Sequence, residues 1–313
     1  MKKGLIASIL AVTMVGALIA GCGTKAPTKT EGTDTTTPTK VEKPTITVSS
    51  KEFTEQLILG NMMALLLEKN GFPVNRKIGL TGTAVVAKAL ESGDIDVYAE
   101  YTGTGLVTIL KQPVITDPDE AYAAVKKGYE TQFNEEWLGR LGINNTYVLT
   151  MKADKAKELG ILTLSDLVTK GADLKFGSDQ EFLARPDGYP ALSKAYGFEF
   201  KQANIKSMDA GLVYQAVDSG QVDIIMGFAT DGRIKKLNLM NLKDDKNFFP
   251  VYDAAPVIRQ EVLTKNPEIA DILNKLQGKI SDEQMQELNL QVDVDGKEPA
   301  DVAKDFLVSL GLY

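Results

Sequence analysis

The stretch "LESGDIDVYAEYTGTG", residues 90–105, decides how the rest of the chain is read. Its first residues look like the end of a helix stopping at Ser92-Gly93. "DIDVYAEY" then reads as a strand, closed by an aromatic residue, Tyr101, before a turn of Thr and Gly. Residues 217–232, "VDSGQVDIIMGFATDG", repeat that plan. Aligned, Ser92-Gly93 falls on Ser219-Gly220, Asp96 on Asp223, Tyr101 on Phe228 and Gly105 on Gly232. Upstream, "SSKEF" (49–53) matches "SDQEF" (178–182) in the same order and at nearly the same separation. Two ordered matches at nearly equal offsets imply two similar lobes in one chain.

Around the first copy the chain alternates strand and helix. "ITVSS" reads as a strand. Residues 53–70 carry Leu57, Ile58, Met62, Leu65 and Leu66 at helical spacing and stop near Gly71. "VNRKIGL" is a second strand, 83–92 a second helix, and "DIDVYAEY" a third strand. This β-α-β-α-β order predicts an α/β lobe with parallel pairing. In open α/β sheets, ligands lie at the carboxyl ends of the strands. Tyr101 and Phe228 therefore mark that edge in their lobes, and two facing lobes would bring them together across a cleft. Gly103 and Gly105 are expected to let the backbone turn tightly at the rim.

Composition narrows the chemistry. The 313 residues are 43% hydrophobic and 25% charged, enough for two globular lobes. The net charge of −7, without a polybasic patch, argues against nucleic acid as a partner. There is no histidine, which removes Ser-His-Asp and Cys-His catalysis and His-ligated metals. The single cysteine, Cys22, allows no intrachain disulfide and no thiolate cluster. No metal or cofactor is expected.

The amino terminus accounts for that cysteine. Lys2 and Lys3 precede an apolar run from Leu5 to Ala20, then small residues and Cys22. This reads as a secretory signal, and "IAGC" resembles a bacterial lipobox. That resemblance implies cleavage before Cys22 and lipid attachment to it; an uncleaved anchor helix or a plain signal peptide are the alternatives. Residues 22–45, rich in Thr, Pro, Lys and Gly, read as a disordered tether after a signal peptide of 1–21. The chain is expected on the extracytoplasmic face of the cell membrane, lipid-anchored and monomeric.

Tyrosines recur in turn-like contexts: Tyr147 in "NNTYVL", Tyr189 in "RPDGYP", Tyr252 in "PVYDAAP". Rings grouped around a cavity bind quaternary ammonium through their negative faces. A carboxylate on the same ligand would need donors, for which Lys51 and Arg185 are candidates, as is the helix start after Ser49-Ser50.

Taken together, "SSKEFTEQ", "GDIDVYAEYTGT", "FLARPDG", "FATDGRI" and "YDAAPVIR" resemble the substrate-binding proteins of osmoprotectant ABC transporters, the glycine betaine/carnitine/choline-binding family. The resemblance runs from about Thr45 to Tyr313. It implies a type II periplasmic-binding-protein fold, two α/β lobes joined by two crossing segments around a ligand cleft. It implies solute capture without catalysis, with a partner permease and ATPase. It places Tyr101, Tyr147 and Tyr252 at cage positions, and Phe228 where a cage tyrosine is common. Thr104, Lys51 and Arg185 fall where the family binds the ligand's carboxylate. Lobe one is expected to comprise 46–148 plus 250–313 and lobe two 149–249, with crossings near Leu149 and Pro250. Tyr98, Tyr214 and Trp137 are read as structural, Trp137 at a helix end in "NEEWLGRLG". The rival readings are a same-fold receptor for an amino acid or polyamine, and a surface hydrolase. A polyamine site would want carboxylates in the cleft, where the matched positions offer aromatics.

Overall fold

The computed structural model describes residues 43–313; the signal, Cys22 and the tether up to residue 42 lie outside the described residues. The first lobe opens with β1 (Ile46–Lys51), α1 (Thr54–Lys69), β2 (Val74–Leu80), α2 (Thr83–Ser92) and β3 (Val97–Tyr101). A π-helical run (Thr104–Ile109), α3 (Pro118–Phe133) and β4 (Glu135–Trp137) follow. The second lobe carries β5 (Tyr147–Lys152), α4 (Ala153–Leu159), α5 (Leu167–Lys170), β6 (Phe176–Ser178), α6 (Gln180–Ala184) and α7 (Tyr189–Tyr196). It continues through β7 (Ile205–Ser207), α8 (Val213–Asp218), β8 (Ile224–Phe228), α9 (Arg233–Lys236) and β9 (Leu239–Asn241). The chain then returns with β10 (Ala254–Arg259), α10 (Gln260–Lys265), α11 (Glu268–Leu273), α12 (Asp282–Asp293) and α13 (Pro299–Ser309).

Each lobe is built on a five-stranded sheet, and the two have the same plan. The first runs β2-β1-β3-β10-β4, the second β7-β6-β8-β5-β9. The first three strands of each sheet are parallel, as the alternation predicts. The fourth strand of each sheet, β10 or β5, is antiparallel to both its neighbours, a departure from purely parallel pairing. The cause is the chain path. β5 enters the second sheet straight from the first lobe, and β10 enters the first sheet straight from the second, so each runs against its neighbour.

The repeated Ser-Gly-x-x-Asp pattern has a physical basis in both lobes. Gly93 ends α2 with φ +81° and Gly220 follows α8 with φ +72°, a region where glycine carries no Cβ penalty. Three residues on, each Asp ties the helix exit to the neighbouring, earlier strand of its sheet, β1 or the start of β6. The Thr47 N–H donates to Asp96 Oδ2 at 2.8 Å, and the Asp96 N–H donates to the Thr47 carbonyl at 2.8 Å. In the second lobe Lys175 and Asp223 exchange the same pair of bonds, each 2.8 Å.

Helix α1 is apolar on nearly every side, from Ile58 to Leu67, and so lies inside. It packs on β1 and β2 and is covered by α11, α12 and α13, which brings the carboxyl terminus back to the first lobe. "NEEWLGRLG" departs from expectation: α3 ends at Asn134, in the left-handed region at φ 55°, and Glu135–Trp137 is the edge strand β4. Trp137 is fully buried there, edge-on to Tyr129 at 5.3 Å.

Candidate functional site

A cavity of about 1000 Å³ lies between the carboxyl edges of the two sheets. Tyr101 ends β3 on one side, while Tyr147 begins β5 and Phe228 ends β8 on the other, directly paired in register. Tyr252 stands two residues before β10, in the returning crossing segment. The ring centroids of Tyr147 and Phe228 are 5.4 Å apart, as are those of Tyr147 and Tyr252.

The glycines of the Tyr-Thr-Gly-Thr segment do a different job from the one expected. Gly103 has helical angles, φ −60° and ψ −41°, and the segment opens the π-helical run rather than a tight turn. What requires glycine is space. A Cβ on Gly103 would sit 2.7 Å from Tyr252 Cε1, and one on Gly105 2.7 Å from Trp137 Cζ2. The Tyr252 ring can lie against the β3 exit only because Gly103 has no side chain.

Thr104, Arg185 and Tyr252 meet in one buried cluster. Arg185 Nε donates to Asp187 Oδ1 at 2.8 Å and Nη2 to Asp187 Oδ2 at 2.6 Å. Nη1 donates to Glu181 Oε1 at 3.0 Å, and Nη2 also to Thr104 Oγ1 at 3.2 Å. The Tyr252 hydroxyl donates to Asp187 Oδ2 at 2.7 Å. The guanidinium carbon lies 5.4 Å from the Tyr147 centroid and 6.0 Å from that of Tyr252. The cation expected at the carboxylate end thus lies against two of the rings expected to face the ligand's ammonium. Lys51 is committed as well: its ammonium donates to Glu100 Oε1 at 2.6 Å in a buried pair, 5.3 Å from the Tyr101 centroid.

The cavity and its buried cluster hold residues that escaped the sequence reading at three places. Phe53, at the mouth of α1, stacks on Phe228 (centroids 5.4 Å apart, planes 10° apart) and on Tyr101 (6.2 Å, 23°). Its repeat mate Phe182 packs on Tyr147 at 4.9 Å. The match of "SSKEF" with "SDQEF" contained both rings, and that was the available signal. Asp187 is the second miss, buried beneath Arg185 and Tyr252. Glu55 is the third. Its Oε1 accepts from the Tyr101 hydroxyl at 2.7 Å and from Asn145 Nδ2 at 2.9 Å, and its Oε2 accepts from the Thr230 hydroxyl at 2.6 Å.

The cleft is also more acidic than expected, with Glu52, Glu55, Asp179, Glu181, Asp231 and Asp293 on its walls. Burial pushes the Glu55 carboxyl up, against the pull of its three donors, and pushes Asp179 up to about 6. Glu181 goes the other way. Burial pushes it up, but Lys51, the Thr83 hydroxyl and Arg185 together hold it below the usual carboxylate range. Tyr98, Tyr189 and Tyr214 lie buried outside this cluster of rings: Tyr98 donates to Glu100, Tyr189 packs on Phe176 and Phe200, and Tyr214 accepts from the Phe228 N–H. Among the described residues, no group of His, Cys, Asp and Glu is arranged to hold a metal ion. No helix among them is long and apolar enough to cross a membrane.

Comparison with known proteins gives this architecture relatives. A solved structure described as a glycine betaine/carnitine/choline ABC transporter is 36% identical, superposes with a TM-score of 0.71, and covers 85% of this chain and 99% of that one. The carnitine transport binding protein OpuCC of Listeria monocytogenes is 44% identical over 268 residues, 85% of this chain and 86% of that protein. The ergothioneine transport permease/ergothioneine binding protein EgtU of Helicobacter pylori is also 44% identical, over 87% of this chain. The chain spans about half, 49%, of that longer relative. The two-lobed fold is that of the periplasmic binding proteins. Residues 44–309 match the OpuAC family model, the substrate binding domain of ABC-type glycine betaine transport systems, and the chain belongs to that family.

Proposed function

We propose that this chain captures a small quaternary ammonium solute, of the class of glycine betaine, carnitine and choline, between its lobes and delivers it to an ABC permease powered by an ATPase. One observation carries the reading. Phe53, Tyr101, Tyr147 and Phe228, drawn from both lobes, converge on one cavity beside Arg185 and Thr104. Ring faces suit an N-methylated cation, which is weakly hydrated and gives up water at little cost. Arg185 and Thr104 suit a carboxylate or hydroxyl at the ligand's other end, with Lys51 adding positive field nearby. Binding to the folded chain alone raises stability by about 2.7 kcal/mol at a hundredfold excess over the dissociation constant. Calorimetric titration with glycine betaine, carnitine, choline and ergothioneine, beside proline and spermidine, tests the reading. At least one quaternary amine should bind while spermidine stays silent; spermidine binding with every quaternary amine silent would overturn it.

The site works, on this reading, outside the cytoplasm. Cys22 carries a lipid that anchors a monomeric receptor to the cell membrane, and residues 22–45 form the tether. Cys22→Ala should move the protein from the membrane fraction to the medium, or leave it as unprocessed precursor. Normal processing with unchanged membrane retention would rule out the lipid anchor.

A further inference from the structure

The cavity's cations are all spoken for, yet one of its buried anions has no cation of its own. Among the described residues, Lys51 is bound to Glu100, Arg185 to Asp187 and Glu181, and Arg233 to Asp231 and Asp293. Glu55 is 2% exposed and lines the same cavity, but its partners are two hydroxyls and an amide, all neutral and all donating. Those partners come from β3 of the first lobe (Tyr101), the outgoing crossing segment (Asn145) and the loop after β8 of the second lobe (Thr230). One of them, Tyr101, is a ring that lines the cavity.

We propose that Glu55 is the counter-charge of the bound ligand, acting from the hydroxyl end of Tyr101: it sets the preference for a cation over a neutral molecule of the same shape, partly by polarising that ring through its hydroxyl. Two physical effects support this. A buried charge without a partner attracts an arriving cation through a medium of low effective dielectric, where Coulomb forces are several times stronger than in water. A phenol whose O–H donates to a carboxylate holds more electron density on its ring, which deepens the negative face that a cation meets. Burial raises the Glu55 carboxyl, and an incoming cation would favour its ionised form.

This inference rests on the quaternary ammonium reading above, and the test separates the two. Choline is compared with its uncharged carbon isostere, 3,3-dimethylbutan-1-ol, and glycine betaine with 3,3-dimethylbutanoate, by calorimetric titration of the full chain. If the wild type binds none of glycine betaine, carnitine, choline and ergothioneine, the functional reading itself fails. If it binds them, Glu55→Gln should weaken the ammonium-bearing member of each pair about tenfold or more, while binding of the isostere, which lacks the cation, should not fall. Equal loss for both members, or no loss, overturns the proposal, because a purely structural role would not distinguish charge. Thermal melting checks that the variant folds. Should Glu55→Gln fail to fold, Tyr101→Phe keeps the ring and removes the coupling to Glu55. It should weaken the cation several-fold and spare the isostere, and equal effects would again overturn the proposal.

Discussion

The ammonium of Lys51 lies 2.6 Å from Glu100 in a site where both side chains are buried. Breaking a buried pair costs about 3–5 kcal/mol, so Lys51 stays with Glu100. Of the three N–H groups of an ammonium, that bond takes one, and a ligand can be met by the others without breaking the pair. Arg185 is more heavily engaged. A guanidinium offers five N–H groups, and the bonds to Asp187, Glu181 and Thr104 occupy four, leaving one on Nη1. That single N–H suffices for a carboxylate beside Thr104. It also makes Arg185→Ala a poor probe, since the substitution would strand Asp187 as an unpaired buried charge. Single residues were legible from the chain where backbone position decides their place, as with Tyr101 and Phe228 at strand ends. Glu55 and Asp187 were not, because a carboxylate's role depends on donors brought from remote parts of the chain, such as Thr230 for Glu55 and Tyr252 for Asp187.

Elements were legible in proportion to their length and to how locally they are determined. The long helix α1 shows as an unbroken apolar run, and the repeated helix-Gly-Asp-strand unit follows from contacts within about fifty residues. β4 does not: it has only three residues and exists because β10, far along the chain, offers an edge to pair with. Its placement has a consequence for stability. Glu135, the first residue of β4, is 4% exposed with its Oε1 lacking a partner, opposite Arg259 in the ladder. Burial, with a further push from Glu91 and a partial pull from Arg259, raises its carboxyl to about 8. The folded state therefore holds this proton more tightly than the unfolded chain. The stability it lends is complete below the ordinary Glu range, near 4.5, and is lost as pH rises towards 8. Glu135→Gln keeps the shape and removes the charge. Its melting temperature should exceed the wild type's at pH 9, by an amount corresponding to about 2–4 kcal/mol, and match it at pH 4.5. A difference independent of pH would mean that Glu135 titrates normally.

At the scale of the molecule, the two lobes are joined by side chains reaching across the cleft as well as by the crossing segments. The Glu181 carboxylate, on α6 of the second lobe, accepts from the Thr83 hydroxyl at 2.6 Å and from the Thr83 N–H at 3.3 Å, at the first turn of α2 in the other lobe. A carboxylate there is favoured by the free N–H groups and dipole of the helix end. Arg185 reaches Thr104, Thr230 reaches Glu55, and Arg233 meets Asp293 of α12, which also accepts from Thr54. These bonds exist only when the lobes are together, so they weight the closed state whatever the ligand. A ligand held by rings from both lobes adds to the same equilibrium, because it binds the closed state better than the open one. Small-angle scattering should therefore show a smaller radius of gyration at saturating ligand than without it. Removing one bridge should shift the balance towards the open form. Glu181→Ala loses the two bonds to Thr83 and one to Arg185, for a cost of roughly 1–3 kcal/mol. It should enlarge the ligand-free radius of gyration. Apparent affinity should fall by about five- to a hundredfold, by the same factor for a quaternary amine and its uncharged isostere. That uniformity is the opposite of the selective loss expected at Glu55. An unchanged scattering profile on saturation, or a loss confined to charged ligands, would show that Glu181 does not act through closure.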